Sequence, residues 1–158
     1  MQKQTIGWQF LKISIYLDIT IVSALFDKRT PERMALTKQF WEKINDYNVF
    51  ISELVIDEIK GASQLLQIQM METIKNFTVL PITEQSQKLA EHYIEHEIFP
   101  GKYSDDALHT SLATTNHIGI LLSWNFTHLV KLKTRRMVAL INTMYNYNPL
   151  EIITPPEL

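Results

Sequence analysis

Four acidic or amide residues lie where the chain is expected to pass from strand to helix or to open a helix: Asp18, Glu58, Asp106 and Asn125. Carboxylate and amide oxygens are ligands that Mg²⁺ and Mn²⁺ prefer in proteins. In an open parallel sheet, the carboxyl ends of the strands face the crevice in which ligands bind. The positions of these residues therefore predict a divalent-metal site at that edge.

Asp18 provides the sharpest local argument. Residues 13–17 are β-branched and aromatic, which is typical of a buried strand, and Asp18 interrupts apolar sequence that continues to Phe26. A buried, ionised carboxylate is costly, so Asp18 requires a cation, hydrogen-bond donors or solvent at a strand end. The alternative is that Asp18 or Thr20 merely caps the following helix.

The elements that must position these residues alternate along the chain. Strands are predicted at 13–17, 49–52, 78–80, 119–122 and 151–153. Helices are predicted after Asp18 and at 31–46, 52–61, 63–75, 83–98 and 104–117, with a short helix near His128 and a longer one ending at Tyr145. Such alternation predicts an α/β fold, with three α/β/α layers around a central parallel sheet of four to five strands.

Length and composition favour one globular domain. The chain has 158 residues and is 46% hydrophobic, so 1–158 is interpreted as a single domain with a leading segment at 1–11. It has no cysteine, which excludes disulfides and thiolate zinc sites and fits a reducing cytosol. The longest apolar run is too short and too polar for a bilayer, and we find no signal peptide. We therefore expect a cytoplasmic protein without a membrane partner.

Charge is informative locally rather than globally. A net charge of -2 argues against a non-specific phosphate binder. Basic clusters occur at 28–33 and at 131–136, and the second cluster includes Lys131 and Arg135. Such clusters are usually solvated helix faces, but beside a metal-binding crevice they become candidates for phosphate contacts.

The other candidate residues also have ordinary explanations. Glu58 fits a plain surface carboxylate of a helix, and Asn125 fits a turn or a helix cap. Asp105 and Asp106 fall in a first helical turn, where carboxylates stabilise the helix dipole. Successive helical residues point about 100° apart, so only one of this pair can face the crevice. We assign that position to Asp106.

Four short motifs are similar, in their order and spacing, to those of the PIN-domain nucleases. The motifs are Tyr16-Leu17-Asp18, Ser52 with Glu58, Asp106-Ala107-Leu108-His109 and Leu122-Ser123-Trp124-Asn125-Phe126. The chain resembles most the bacterial VapC-like toxins, and the closing segment 153–158 resembles that subgroup as well. The resemblance extends from about Lys12 to the end of the chain.

The resemblance implies a metal-dependent ribonuclease that belongs to a toxin-antitoxin pair. Asp18, Glu58 and Asp106 would be the metal-binding acids, and Asn125 would occupy the fourth catalytic position. Mg²⁺ or Mn²⁺ would be the cofactor, RNA the substrate, and an antitoxin protein and a second copy of the chain the partners. Many members of the family have Asp at the fourth position. We expect Asn125 to supply a neutral carbonyl oxygen there, which removes one negative charge.

Other polar residues near these motifs are candidates for contacts with RNA. They are Thr20, Ser123, His128, Lys131 and Arg135. His109 and His128 could shuttle protons or contact phosphate, because imidazole titrates near neutrality, although a helix-surface or capping role is the more common one. Ser123 and Thr127 could orient the substrate or simply cap a turn.

Two other functions compete with the nuclease. The segment His92-Tyr93-Ile94-Glu95-His96 matches the inverted zinc-protease motif, but zinc would need a third ligand from elsewhere, and an exposed polar helix face is the simpler interpretation. The other alternative is a PIN-fold binding module without catalysis. Its apolar partner surface would comprise Phe40, Trp41, Leu65, Leu66, Met70 and Met71.

Overall fold

Five parallel strands form the central sheet in the computed structural model, which describes residues 12–158. The strands are β1 (Ile13–Leu17), β2 (Tyr47–Ser52), β3 (Thr78–Leu80), β4 (Ile120–Leu122) and β5 (Glu151–Ile153). Their order across the sheet is β3-β2-β1-β4-β5, and each neighbouring pair is parallel. The predicted parallel sheet is confirmed. The predicted leading segment 1–11 lies outside the described residues.

Helices connect the strands and cover both faces of the sheet. They are α1 (Ile19–Ala24), α2 (Pro31–Glu42), α3 (Glu53–Ile59), α4 (Gln64–Ile74), α5 (Glu84–Glu95), α6 (Ser104–Thr115) and α7 (Leu132–Met144). Short 3-10 turns occur at Ile44–Asp46, Gly101–Tyr103 and Pro155–Glu157. Within residues 12–158, no helix is long and apolar enough to span a bilayer.

Side chains of β1 alternate between two cores. Tyr16 belongs to a core that includes residues of α5, α6 and α7, whereas Ile15 and Leu17 belong to a core that includes residues of α1 to α4. All three side chains are fully buried. A central parallel strand covered on both faces requires such a continuous apolar run. Asp18 therefore emerges from β1 into a largely dry environment.

Two strands pass directly into helices through polar caps. Asp18 follows β1, and its side chain accepts a hydrogen bond from the backbone N–H of Thr20 at 3.0 Å. Ser52 ends β2, and its hydroxyl accepts from the N–H of Val55 at 3.4 Å. Side-chain oxygens satisfy backbone donors that the first turn of a helix leaves without partners. Both caps lie at the carboxyl edge of the sheet, so the local sequence that starts each helix also builds the edge.

The helix predicted at 31–46 ends earlier than expected. α2 stops at Glu42, and residues 44–46 form a 3-10 turn. The N–H groups of Lys43 and Asp46 bond to carbonyls three residues back, at 3.0 and 2.9 Å, which tightens the chain before β2.

The short helix predicted near His128 is absent within the described residues, where 126–130 form turns. The carbonyl of Asn125 accepts hydrogen bonds from the N–H groups of Leu129 and Val130 at 3.1 and 2.8 Å. Because both N–H groups bond to the same carbonyl, the backbone forms a turn around Asn125 and the hydrogen-bond pattern of a helix does not continue.

The helix caps provide a test of this fold. Thr83 and Ser86 form a reciprocal capping box at the start of α5, with bonds of 3.1 and 2.9 Å. We expect Thr83→Ala to lower the free energy of unfolding by about 0.5–2 kcal/mol. Ser63 precedes α4 without a side-chain capping bond, so Ser63→Ala should change the free energy of unfolding by less than about 0.5 kcal/mol. Urea unfolding of both variants measures the difference, and equal losses would contradict the assignment of the caps.

Candidate active site

The carboxylate of Asp18 is buried, and both of its oxygens accept hydrogen bonds. Its side chain is 2% exposed. One oxygen accepts from the N–H and the hydroxyl of Thr20 at 3.0 and 2.5 Å, and the other accepts from the hydroxyl of Ser123 at 2.5 Å. Burial raises the pKa of Asp18 above its ordinary value, although His109 and the two hydroxyls act in the opposite direction. The predicted need for donors is met, and Asp18 also caps α1, as the alternative interpretation expected.

The hydroxyls of Thr20 and Ser123 connect this carboxylate to the segment after β4. The Thr20 oxygen accepts from the N–H of Trp124 at 2.8 Å, and the Ser123 oxygen accepts from the N–H of Asn125 at 2.9 Å. Each hydroxyl therefore donates a hydrogen bond to Asp18 and accepts one from a backbone N–H. This arrangement holds Asp18 in place. The predicted contacts of Thr20 and Ser123 with substrate stay a prediction.

Asp106 and Asn125 form the second bonded pair of the site. The side-chain nitrogen of Asn125 donates to Asp106 Oδ1 at 3.2 Å, and its oxygen accepts from the N–H of His128 at 3.0 Å. A backbone N–H can only donate, so it fixes the amide orientation. The amide nitrogen faces Asp106, in contrast to the expected carbonyl oxygen. Asp105 is exposed, whereas Asp106 is half-buried and bonded to Asn125, so Asp106 is the inward member of this pair. Its role as a metal ligand stays a prediction.

The charges around Asp106 shift its ionisation. Burial raises the pKa of Asp106, and the negative charges of Asp18 and Glu58 raise it further. His109 and His128 lower it, but the net shift is upward. The charges of Asp18 and Glu58 thus act on Asp106, which indicates that Asp106 shares an electrostatic environment with both groups.

Glu58 belongs to a buried chain of hydrogen bonds. His109 Nε2 lies 2.6 Å from Glu58 Oε1, His109 Nδ1 lies 2.7 Å from the Tyr16 hydroxyl, and that hydroxyl lies 2.7 Å from the Ser52 oxygen. His109 is 2% exposed, so the helix-surface or capping role expected for it is wrong. A plain surface role for Glu58 is also wrong, because it is bonded to this imidazole. The sequence does contain one sign of this role: Asp106 and His109 are three residues apart on a predicted helix, which places them on the same face.

The environment of His109 favours its protonated form. Burial alone would lower the pKa of His109, but the hydrogen bond that it donates to Glu58 and the charges of Glu58, Asp18 and Asp106 raise this pKa above its ordinary value. When His109 is protonated, both ring nitrogens donate, one to Glu58 and one to Tyr16. Burial raises the pKa of Tyr16 far above its ordinary value, so its hydroxyl stays protonated. This hydroxyl can therefore donate a hydrogen bond to the Ser52 oxygen.

The donor set fits Mg²⁺ or Mn²⁺ in chemical type. Asp18, Glu58 and Asp106 would contribute carboxylate oxygens, and among the described residues no hydrogen bond reaches Glu58 Oε2 or Asp106 Oδ2. Within residues 12–158, no three His, Asp or Glu side chains are grouped closely enough to form an all-protein metal site. Mg²⁺ does not require such a cage, because it usually binds through one or two carboxylates, several waters and substrate phosphate.

The basic candidates divide into two groups. His128 packs against Tyr103 with ring centroids 3.9 Å apart, and it lines a cavity of about 250 Å³ together with Lys131 and other residues. Arg135 instead lies 3.9 Å from Glu157 near the end of the chain. The structure therefore brings His128 and Lys131 together and directs Arg135 elsewhere.

The inverted zinc-protease motif forms an ordinary helix face. His92 stacks on Tyr145 with centroids 4.1 Å apart, and its Nδ1 lies 3.3 Å from Glu95. Glu95 and His96 are exposed, whereas Tyr93 is buried in the core. No third His, Asp or Glu joins these side chains in a possible metal site in the described part of the chain.

The apolar residues suggested as a partner surface differ in burial. Phe40 and Met70 are 7% and 2% exposed and belong to the core, so they are not available to a partner. Leu65 and Met71 are exposed at 68% and 42%, and Ile68 on the same helix is exposed at 63%. Trp41 and Leu66 are half-buried. The available part of the predicted surface is therefore the outer face of α4.

Comparison with known proteins identifies the fold. No family model and no curated protein matches the sequence. The crystal structure of Mycobacterium tuberculosis VapC20, a Sarcin-Ricin loop cleaving toxin, matches with a TM-score of 0.56 and 16% sequence identity, over 72% of this chain and 92% of that chain. The crystal structure of Rickettsia felis VapBC2, bound to a DNA fragment from its own promoter, matches with a TM-score of 0.55 and 12% identity, over 89% of this chain and 98% of that chain. The chain has the PIN fold of these toxins.

The PIN fold explains how residues distant in sequence meet. β1 pairs with both β2 and β4, so Asp18, the β2–α3 junction and the segment after β4 lie side by side at the carboxyl edge. His109 then crosses from α6 to Glu58 on α3. At these sequence identities the comparison establishes the fold, and the function must be argued from the site.

The His109–Glu58 pair predicts a specific pH dependence. A raised pKa means that the pair contributes stability below about pH 6.5, the unfolded value, and that this contribution is lost as pH rises through the folded value. In EDTA, we expect His109→Leu to lower the free energy of unfolding by about 2–4 kcal/mol at pH 6. The loss should be smaller at pH 9, although Tyr16 and Glu58 still lack their partner.

Urea unfolding at the two pH values measures this difference. His96→Leu is the control, because His96 is exposed and should change stability by less than about 0.5 kcal/mol at either pH. A loss for His109→Leu that grows with pH would show that His109 is not held in its protonated form.

Proposed function

We propose that this chain is a divalent-metal-dependent endoribonuclease and the toxin of a toxin-antitoxin pair. One observation carries the proposal: Asp18 bonds to Ser123, and Asp106 bonds to Asn125, two residues further along the same segment. Two acids from distant parts of the chain thus bond to one short segment at the carboxyl edge of a parallel sheet, which is where open α/β folds bind ligands. The PIN fold shared with the VapC toxins supports this function.

Asp18, Glu58 and Asp106 would hold Mg²⁺ or Mn²⁺. Such an ion, when bound, activates water, neutralises the phosphodiester and stabilises the leaving oxygen. Thr20 and Ser123 fix the orientation of Asp18, and Asn125 fixes that of Asp106 through its amide. Because these groups are held before substrate arrives, they need little reorganisation during the reaction.

The remaining polar groups would act on the substrate or on the acids. His109 holds Glu58 by a charge-assisted hydrogen bond of 2.6 Å. His128 and Lys131, which line one cavity, would contact the phosphates of RNA. The basic residues of this region supply local attraction that the net charge of -2 does not.

We further propose an antitoxin partner and a homodimer. The support is the VapBC2 complex among the similar structures and the exposed apolar face on α4, where Leu65, Ile68 and Met71 recur every three residues. Exposed apolar stripes of this kind are typical of contacts with partner proteins.

An alternative is a PIN-fold binding module that acts only through a protein partner. It is favoured by the lack of a closed three-ligand metal cluster within residues 12–158 and by the neutral residue at position 125. The two functions differ in whether RNA is cleaved.

Cleavage of a pooled structured RNA tests the proposal. We expect cleavage with Mg²⁺ or Mn²⁺, none with EDTA, and a loss of about 100-fold or more in Asp106→Asn and Asp18→Ala, because each removes a metal-binding carboxylate. Asp105→Asn is the matched control, since this exposed neighbour should keep full activity. Cleavage that persists in EDTA or in Asp106→Asn would refute the metal-dependent mechanism. A folded protein without cleavage would favour the binding module.

Thermal unfolding of Asn125→Asp tests the metal site independently of activity. In EDTA this variant should be about 1–3 kcal/mol less stable, because it removes a donor to Asp106 and adds a like charge. The rise in Tm on adding Mg²⁺ should exceed that of the wild-type protein, because a fourth carboxylate strengthens binding. The rise in Tm caused by Mg²⁺ should become smaller at acidic pH. The raised pKa values of Asp18 and Asp106 mean that these ligands become protonated at a higher pH than ordinary carboxyl groups.

The control for this experiment is Asn45→Asp, which makes the same charge change at an exposed position. A Tm that does not respond to Mg²⁺ in either the wild-type protein or Asn125→Asp would contradict a metal site formed by these acids.

A further inference from the structure

A cluster of three planar side chains lies beside the candidate active site. The guanidinium carbon of Arg33 lies 5.4 Å from the ring centroid of Trp124 and 5.7 Å from that of Phe126. The two rings are 6.2 Å apart and tilted by 53°. We call Arg33, Trp124 and Phe126 the aromatic-arginine cluster. Its members come from α2 and from the segment after β4, and none belongs to the acid groups described above.

The cluster is fixed to the acid edge by the backbone. Trp124 lies between Ser123 and Asn125, and its N–H donates to the Thr20 hydroxyl that also bonds Asp18. Its indole N–H donates to the buried hydroxyl of Thr37 at 2.9 Å, so the ring orientation is set by α2. Trp124 is 6% exposed, whereas Phe126 is 50% exposed. The cluster therefore joins a rigid ring to an accessible ring, in the same segment as Asn125, which bonds to Asp106.

A cavity of about 500 Å³ opens at the cluster. Its lining includes Thr30, Pro31, Glu32 and Leu36 besides the three cluster residues. Within residues 12–158, Arg33 forms no salt bridge, in contrast to Arg29, which is paired with Asp27 at 2.9 Å. The cavity thus combines aromatic surface, a guanidinium that forms no salt bridge with the described residues, and one exposed carboxylate, Glu32.

This combination suits a nucleobase better than a phosphate or an apolar side chain. Bases of single-stranded RNA stack on aromatic rings and on guanidinium planes, and their edges present both donors and acceptors. A phosphate alone would gain nothing from the two rings, and an apolar side chain could accept no hydrogen bond from the guanidinium. A nucleotide also carries base and phosphate on one unit, so phosphate at the acids brings a neighbouring base to the adjacent cluster.

We propose that the aromatic-arginine cluster binds one unpaired base of the RNA next to the scissile phosphate. This inference rests on the proposed ribonuclease function and adds to it a subsite that selects single-stranded RNA. Phe126 supplies the accessible stacking surface, Arg33 supplies a planar cation, and Trp124 anchors both to the acid edge.

The test uses the RNA segment that the cleavage experiment selects, labelled with 2-aminopurine at each position in turn. Binding is measured in the Asp106→Asn background with Mg²⁺, so that the RNA stays intact. We expect fluorescence quenching at one position, because stacking quenches this base. Phe126→Ala should abolish that quenching and weaken RNA affinity by about 5- to 100-fold, while Phe126→Trp should retain both.

Three further measurements separate stacking from other effects. The slope of log affinity against log salt should not change in Phe126→Ala, because no phosphate contact is removed. Tyr145→Ala, which removes another exposed aromatic ring, should leave RNA affinity unchanged. Thermal unfolding should show that Phe126→Ala stays folded, with only a small fall in Tm relative to its parent, since the phenyl ring is half-exposed.

The outcomes separate this inference from the proposed function. Cleavage and affinity that are unchanged in Phe126→Ala would overturn the base subsite and leave the ribonuclease intact. Loss of binding to a co-expressed antitoxin, with RNA affinity unchanged, would make the cluster a protein-docking surface and also overturn it. If the wild-type protein neither cuts nor binds RNA, both proposals fall together.

Discussion

The burial of one carboxylate governs the geometry of the whole sheet edge. Asp18 leaves a central strand that is covered on both faces, so its charge must be satisfied by protein groups, and three donors reach it from Thr20 and Ser123. Those hydroxyls also accept the N–H groups of Trp124 and Asn125. Satisfying one buried charge therefore connects the β1–α1 junction to the segment after β4. The same segment then places Asn125 against Asp106, so the position of the second acid depends on the first.

The gathered acids make the site electrostatically demanding. Burial and mutual repulsion raise the pKa values of Asp18 and Asp106, so the folded state becomes less favourable as pH rises through those values. His109 offsets part of this repulsion, because its protonated form is attracted to the acids. Its pKa is also raised, so this stabilising contribution is likewise lost as pH rises. The imidazole thus relieves part of the repulsion without occupying the free oxygens of Glu58 and Asp106. Such a balance is typical of functional sites, where ionisable groups are held in environments that shift their pKa.

The sequence was informative wherever the signal is local. Apolar runs predicted all five strands, and Asp18 and Ser52 predicted the helix starts that follow β1 and β2, because caps act within three residues. The role of His109 could not be predicted in the same way. Its partners Tyr16 and Glu58 are 93 and 51 residues away in sequence, and only the strand order brings them together. The Asn125 amide was also misjudged, since its orientation is decided by the N–H of His128 in a turn that was expected to be a helix.

Asn125 has a consistent explanation within the proposed function. When ionised, Asp18, Glu58 and Asp106 carry three negative charges, and a protonated His109 offsets one of them, which leaves the charge that a single divalent ion balances. An aspartate at position 125 would add a further negative charge 3.2 Å from Asp106 and would remove the donor that orients it. Such a site would need more positive charge to remain folded and ionised. The amide instead keeps Asp106 oriented in the absence of an ion, because it donates a hydrogen bond where an acid would repel. Asn125 is thus compatible with a site that uses one ion, and its neutrality is not by itself a sign of lost activity.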